Sequence, residues 1–114
     1  MKLSIGVDIE EVARFRTKNP IFLKKLLSRK ELGEMRAYSA QRVAGMFCAK
    51  EAIIKACGTI EKIHVGNIEI LHRKNGAPYA SINGSKKISS GSVSISISHT
   101  KAYAAAVALV VVKK

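Results

Sequence analysis

The sequence predicts an α+β fold, helices packed on a mainly antiparallel sheet, on three observations. Residues 2–10 alternate apolar and polar with a period of two, as a half-buried strand does. Residues 40–57 form an almost unbroken apolar helix pattern closed by Gly58. From residue 64 onward, short β-rich runs are separated by turn residues. Helices on one side of a sheet is the natural assembly of such elements.

In the first strand Leu3, Ile5, Val7 and Ile9 face one way and Ser4, Gly6, Asp8 and Glu10 the other. Glu11 to Arg16 begins a helix. Asn19-Pro20 marks a fresh start, with Asn as N-cap and Pro at the first helical position. Ile21, Leu23, Leu26 and Leu27 form the buried side of that helix. Ser28-Arg29-Lys30-Glu31 matches a capping box and opens another short helix. The long helix runs from Ala40 to Cys57. His64 to Leu71 and Tyr79 to Ile82 are strands flanking Asn75-Gly76, a strong hairpin signal. Residues 83–91 are polar and glycine-rich, with a helical turn around Lys86-Lys87-Ile88. Val93, Ile95 and Ile97 alternate with Ser94, Ser96 and Ser98 in a further strand, and Tyr103 to Val112 is the last. With no internal repeat and no linker, residues 1–114 read as one domain, long enough to bury a real core.

Charge sets the partner class. Twenty Lys and Arg against eight Asp and Glu give a net charge of +12. The excess is even along the chain: twelve cations to six anions in residues 1–57, eight to two in residues 58–114. It is densest from Arg14 to Arg42, where nine basic residues meet only Glu31 and Glu34. Such a field favours an anionic partner. Cys48 and Cys57 point to nearly opposite sides of one helix and cannot pair, which suits a reducing, cytoplasmic setting. Asp8, Glu10 and Glu11 interrupt the apolar start expected of a signal peptide, and residues 102–112 are too short to cross a bilayer.

The chemistry concentrates in Phe47-Cys48-Ala49-Lys50-Glu51-Ala52-Ile53-Ile54-Lys55-Ala56-Cys57-Gly58. Glu51 and Lys55 stand one turn apart on a helix with almost no other polar surface. Such a pair is either a simple ion pair or part of a buried site, and a buried carboxylate needs a partner, a metal or a proton. Asp8 and Glu10, on one face at a strand end, supply further carboxylates. Lys50 points towards the apolar stripe and snorkels either to a phosphate or to water. His64 and His72 lack ligand spacing and read as surface residues.

Three segments together resemble a known family. They are Gly6-Val7-Asp8-Ile9-Glu10-Glu11-Val12-Ala13-Arg14-Phe15, then Phe47 to Ala52 with Lys55-Ala56-x-Gly58, then Ser96-Ile97-Ser98-His99-Thr100. In order, spacing and total length the chain resembles the holo-(acyl-carrier-protein) synthases, small bacterial members of the 4′-phosphopantetheinyl transferase superfamily. The resemblance implies that superfamily's fold. It also implies a reaction: transfer of the phosphopantetheine arm of coenzyme A to a serine hydroxyl of apo acyl carrier protein, with Mg²⁺, releasing adenosine 3′,5′-bisphosphate. It implies a homotrimer with active sites between subunits.

Carried over residue by residue, the resemblance makes Asp8 and Glu51 the metal ligands, and sets Lys55 by the diphosphate as a further catalytic group. Lys50, Lys55, Ser98, His99 and Thr100 are the expected coenzyme A contacts. Arg14 and the basic 14–42 segment are expected to dock the acidic carrier protein. Larger superfamily members use an acid at the place of Glu10 as a third ligand; here Glu10 is a third ligand or a solvent-facing residue. The family's Arg before the helix Phe is Met46 in this chain, and Arg42, one turn earlier, is the candidate substitute. For the trimer, Ala104, Ala105, Ala106 and Ala108 would let sheets of neighbouring chains approach, with Val107, Leu109, Val110, Val111 and Val112 filling a shared centre.

Two other classes compete. A small nucleic-acid-binding module would account for the +12 charge, but aromatics are only 5% and no stacking motif is present. A non-catalytic coenzyme A binder would not need both Asp8 and Glu51. Ser98 and His99 do not make a nucleophile–base pair, because adjacent strand residues face opposite ways.

Overall fold

The computed structural model describes residues 1–16 and 19–112. In chain order the elements are β1 (Lys2–Glu11), α1 (Pro20–Leu26), α2 (Arg29–Glu34), α3 (Ala40–Cys57), β2 (Ile68–His72), β3 (Pro78–Ile82), β4 (Val93–His99) and β5 (Tyr103–Val112). β5 lies between β1 and β4 in an antiparallel three-stranded sheet, while β2 and β3 form a separate two-stranded ribbon. The α+β class expected from sequence is the one observed, with the strands divided between two sheets.

Local signals placed most boundaries. The Asn19 side chain accepts the N–H groups of Ile21 and Phe22, with Pro20 at the first helical position. Ser28 and Glu31 form both halves of a capping box. α3 ends at Cys57, although Gly58 stays right-handed (φ −54°) and closes the helix by its N–H to the Lys55 carbonyl. Gly76 does need its glycine: at φ +90° it turns a five-residue 73–77 loop, longer than a two-residue hairpin.

Four expectations need correction. Ile21, expected on the buried side of α1, is 68% exposed, and Leu26 is the buried residue of that helix. The helix at residues 11–16 is a single 3₁₀ turn, Val12–Phe15. The strand drawn from His64 begins at Ile68, because residues 65–67 form a 3₁₀ turn in which Asn67 accepts the His64 N–H. No helical turn forms around Lys86–Ile88. The N–H groups of Lys86 and Lys87 go instead to the Glu61 carboxylate.

The largest departure concerns β1. A half-buried strand ordinarily turns its apolar residues inward, but here Leu3, Ile5, Val7 and Ile9 are 62–70% exposed. The polar set faces α3. Gly6 explains this, because a Cβ there would stand 2.1 Å from the Ala52 carbonyl oxygen and 2.7 Å from the Ala56 nitrogen. Helix and strand are in backbone contact, and only the Ser4, Gly6, Asp8, Glu10 face is small enough there to allow it. Ala104, Ala106 and Ala108 on β5 lie buried on the same inner face. Those alanines accommodate the chain's own helix, not a neighbouring sheet, and Val110 is fully buried in the chain's own core. The outer face of β1 and β5 is left apolar and uncovered, with Val107 and Leu109 beside the β1 stripe.

Gly6→Ala forces backbone apart from backbone and is expected to cost about 3 kcal/mol or more, at the upper end of overpacking penalties. The urea midpoint measures this; an unchanged midpoint would show that α3 does not press on β1.

Candidate active site

On one flank of α3 the carboxylates gather. The Asp8 side chain is 10% exposed and accepts a hydrogen bond from Lys55 Nζ at Oδ1, 3.1 Å. Lys55 Nζ also donates to the Val7 carbonyl at 3.0 Å. The lysine therefore bonds across to the strand, and the simple Glu51–Lys55 ion pair does not form. Asp8 Oδ2 is buried and has no hydrogen-bond partner. Leaving a buried acceptor unmet costs about 1–3 kcal/mol, so such an atom marks a place where something else binds. Glu51, half-buried and one turn before Lys55, makes no ion pair among the described residues.

Glu10 shares the inner face of β1 with Asp8 and is paired with Arg14. Burial raises its carboxyl, the neighbouring Asp8 carboxylate raises it further, and Arg14 partly opposes them. Arg14 in turn lies 5.5 Å over the Phe15 ring and 5.8 Å over Phe47, which keeps its guanidinium at the rim of this flank.

Cys48 lies behind the carboxylates, its Sγ 3.3 Å from the Ala104 carbonyl. Burial, with the charges of Asp8 and Glu10, pushes its thiol up to about 12. It is a packing residue, not a nucleophile. In the folded protein at pH 8, Ellman's reagent is expected to leave Cys48 unlabelled and to modify it only on unfolding; fast labelling would contradict this environment.

The other flank of α3 forms a cleft of about 350 Å³, lined by Arg42, Met46, His72, Pro78, Ile97 and His99. Arg42 and Met46 line it together, one turn apart. His72 is not a free surface residue: it is half-buried, its Nδ1 is 3.1 Å from Glu34 Oε1, and its N–H also donates to Glu34. Burial alone would raise the Glu34 carboxyl, but hydrogen bonds from His72 and the nearby Arg42 charge bring it below its ordinary value. The clue in the sequence was the hairpin signal, since β2 paired with β3 sets His72 opposite Pro78 at the mouth of the loop.

The segment Ser98-His99-Thr100 divides. His99 reaches the cleft, whereas Ser98 is exposed on the opposite sheet face. Thr100 organises the following turn, its Oγ1 accepting the N–H groups of Ala102 and Tyr103. Lys50 requires a correction. It is 1% exposed and ion-paired with Glu31, on a side of α3 away from Asp8, so it has no route to a coenzyme A phosphate.

The two flanks are kept apart within one chain. Glu51 follows Arg42 by nine residues, about two and a half helical turns, so they project from opposite sides of α3. Asp8 and His99 lie on β1 and β4, with β5 between them and α3 above. Carboxylates and cleft therefore stand back to back in the single chain.

A sequence profile of the 4′-phosphopantetheinyl transferase superfamily matches residues 4–108, and the chain belongs to that superfamily. Within it the chain is similar to the holo-[acyl-carrier-protein] synthase of Oceanobacillus iheyensis, with 36% identity and 93% of each chain covered. Among solved structures it is similar to the Bacillus anthracis holo-(acyl-carrier-protein) synthase in complex with CoA (3′,5′-ADP), with TM-score 0.76, 30% identity and 94% of each chain covered. The Helicobacter pylori holo-[acyl-carrier-protein] synthase in complex with coenzyme A gives TM-score 0.77 and 30% identity over 96% of this chain and 99% of that one. The fold is that of these synthases, and the chain is an enzyme of their class.

Proposed function

We propose that this chain, acting as one transferase domain, moves 4′-phosphopantetheine from coenzyme A to a serine hydroxyl of apo acyl carrier protein, with Mg²⁺, releasing adenosine 3′,5′-bisphosphate. The observation that carries this reading is the buried, partnerless Asp8 Oδ2 on the flank that also holds Glu51 and Lys55. Asp8 and Glu51 would hold the ion. No cluster of three or more His, Cys, Asp or Glu side chains forms among the described residues. Mg²⁺ keeps waters and substrate oxygens in its shell and takes only one or two carboxylates, so the chain's share would be Asp8 and Glu51 alone. When bound, the ion supplies neutralisation of the diphosphate charge. Lys55 brings an ammonium to the same place, and Asp8 orients it. The serine oxygen attacks the β-phosphorus, where positioning matters more than covalent help from the protein. Arg42 and His99 give the cleft a cationic and a hydrogen-bonding wall for the nucleotide. Arg42 thereby takes the place that Met46 leaves open.

Two structural facts support a homotrimer with shared sites. The outer face of β1 and β5 is a continuous apolar surface, the kind a second chain covers. The half-sites, back to back in one chain, become a complete site when the cleft of one subunit meets the carboxylates of the next. Both cysteines are free and buried, in keeping with a cytoplasmic enzyme. Against the nucleic-acid reading, Phe15 is buried and packs on Phe22 and Phe47, so these rings serve the core and present no exposed stacking platform.

The test is the mass of apo carrier protein after incubation with this chain, coenzyme A and Mg²⁺. Gain of one phosphopantetheine supports the reading; an unchanged mass with a competent carrier rejects it. For docking, Arg14→Ala is expected to raise the KM for carrier protein about tenfold with little change for coenzyme A, and added salt to slow association. A change confined to coenzyme A would reassign Arg14.

A further inference from the structure

Lys50 and Glu31 form the most enclosed polar contact among the described residues, their side chains 1% and 0% exposed. Lys50 Nζ is 2.8 Å from Glu31 Oε1 and donates to the Leu26 carbonyl at 2.5 Å. Glu31 Oε1 also accepts the Ser28 N–H, and Oε2 accepts the Ile70 N–H, each at 2.7 Å. One buried carboxylate–ammonium pair therefore joins the last residue of α1, the first turn of α2, the middle of β2 and α3. Ser28 Oγ donating to Glu69 and the Glu34–His72 pair tie α2 to β2 at further points.

A buried ion pair is a poor source of stability, because apolar residues of equal volume hold helices together as well. What it adds is direction. Each bond here has a set direction, so together they favour one placement of α1 and α2 on α3. Those helices present the exposed cations Lys24, Lys25, Arg29 and Lys30. Lys50 immediately precedes Glu51.

We infer that the Lys50–Glu31 pair is a positioning device that fixes the cationic face of α1 and α2 relative to Glu51, and so sets where an acidic carrier protein delivers its serine. This rests on the reading that the 14–42 segment docks the carrier. Lys50 touches no substrate; its effect is carried entirely by the helices it anchors.

Steady-state kinetics of Lys50→Met in the full-length chain test the idea. The KM for apo carrier protein is expected to rise about tenfold, while kcat and the KM for coenzyme A stay within about threefold. A KM does not depend on how much of the sample is folded, so loss of stability alone cannot imitate this split. Parallel rises in both KM values, or an unchanged carrier KM, would overturn the inference. If Lys50→Met yields no soluble protein, Glu31→Gln takes its place, measured beside Ser28→Ala. Glu31→Gln removes the charge that holds Lys50 while keeping an oxygen acceptor, and must show the same selectivity at about threefold. Ser28→Ala removes the Glu69 bond and the α2 cap but leaves the buried pair in place, and must not show it. The double variant Lys24→Glu/Lys25→Glu separates the two readings. If it leaves the carrier KM unchanged, the docking reading fails. If it raises that KM and Lys50→Met does not, the positioning role fails.

Discussion

Asp8→Asn and Glu51→Gln are each expected to lower phosphopantetheine transfer at least a hundredfold while leaving the fold intact. Losing an outer partner of a metal ligand already costs about 10–100-fold, so losing a ligand itself costs more. The fold survives for a reason particular to this site. Asp8 Oδ2 contributes no hydrogen bond in the chain, and Glu51 is unpaired among the described residues. Neither substitution breaks a structural contact of its own charge, apart from weakening the Asp8–Lys55 pair, whose lysine is more than half exposed. The measurements are initial rates with apo carrier protein, thermal unfolding, and Mn²⁺ binding followed by paramagnetic resonance. Weakened ion binding with unchanged unfolding supports the assignment; turnover near normal at ordinary Mg²⁺ would sink it.

The second large effect concerns the uncovered sheet face. Val7→Asp and Leu109→Asp change side chains that are 63% and 40% exposed in the single chain, so neither disturbs its core. If three copies bury this face, a carboxylate there is desolvated without a partner, and the assembly falls apart. The expected product is a folded species at the monomer mass of 12.4 kDa, without transferase activity. Light scattering and circular dichroism together read this. A fully active monomer would refute shared sites. Subunit mixing gives a sharper version. Combining inactive Asp8→Asn and His99→Ala chains restores about a quarter of the sites if each site draws one half from each neighbour. If each chain holds a whole site, mixing restores none.

What the sequence made legible was mostly local. Asn19 and Ser28 announced helix starts because caps act within four residues, and α3 was bounded by its own pattern and Gly58. The carboxylates of Asp8 and Glu10 share a face because a strand has period two. That same rule separates Ser98 from His99, so only one of them could line a given cleft. What was not legible depended on contacts distant in sequence. Nothing in residues 2–10 alone says that the polar side is the inner one; that follows from Gly6 meeting Ala52. The sequence leaves Lys50 between a phosphate and water because its partner Glu31 is 19 residues away on another helix. His72 gained its role only when the β2–β3 ribbon closed over the cleft.

The apolar outer face of β1 and β5 bears on how much enzyme a cell must make. If complete sites exist only between neighbouring chains of a trimer, output does not follow subunit number in proportion. Below the dissociation constant of the assembly, the population of trimers scales with the cube of free subunit. Halving the subunit there cuts the active form about eightfold. Dilution alone then switches the enzyme off, and a modest rise in expression restores it out of proportion. On the same reading, each newly made chain would carry Leu3, Ile5, Val7 and Ile9 bare to solvent until it met its partners. A trimer of this kind would have its abundance, assembly and hazard of aggregation governed by a single surface.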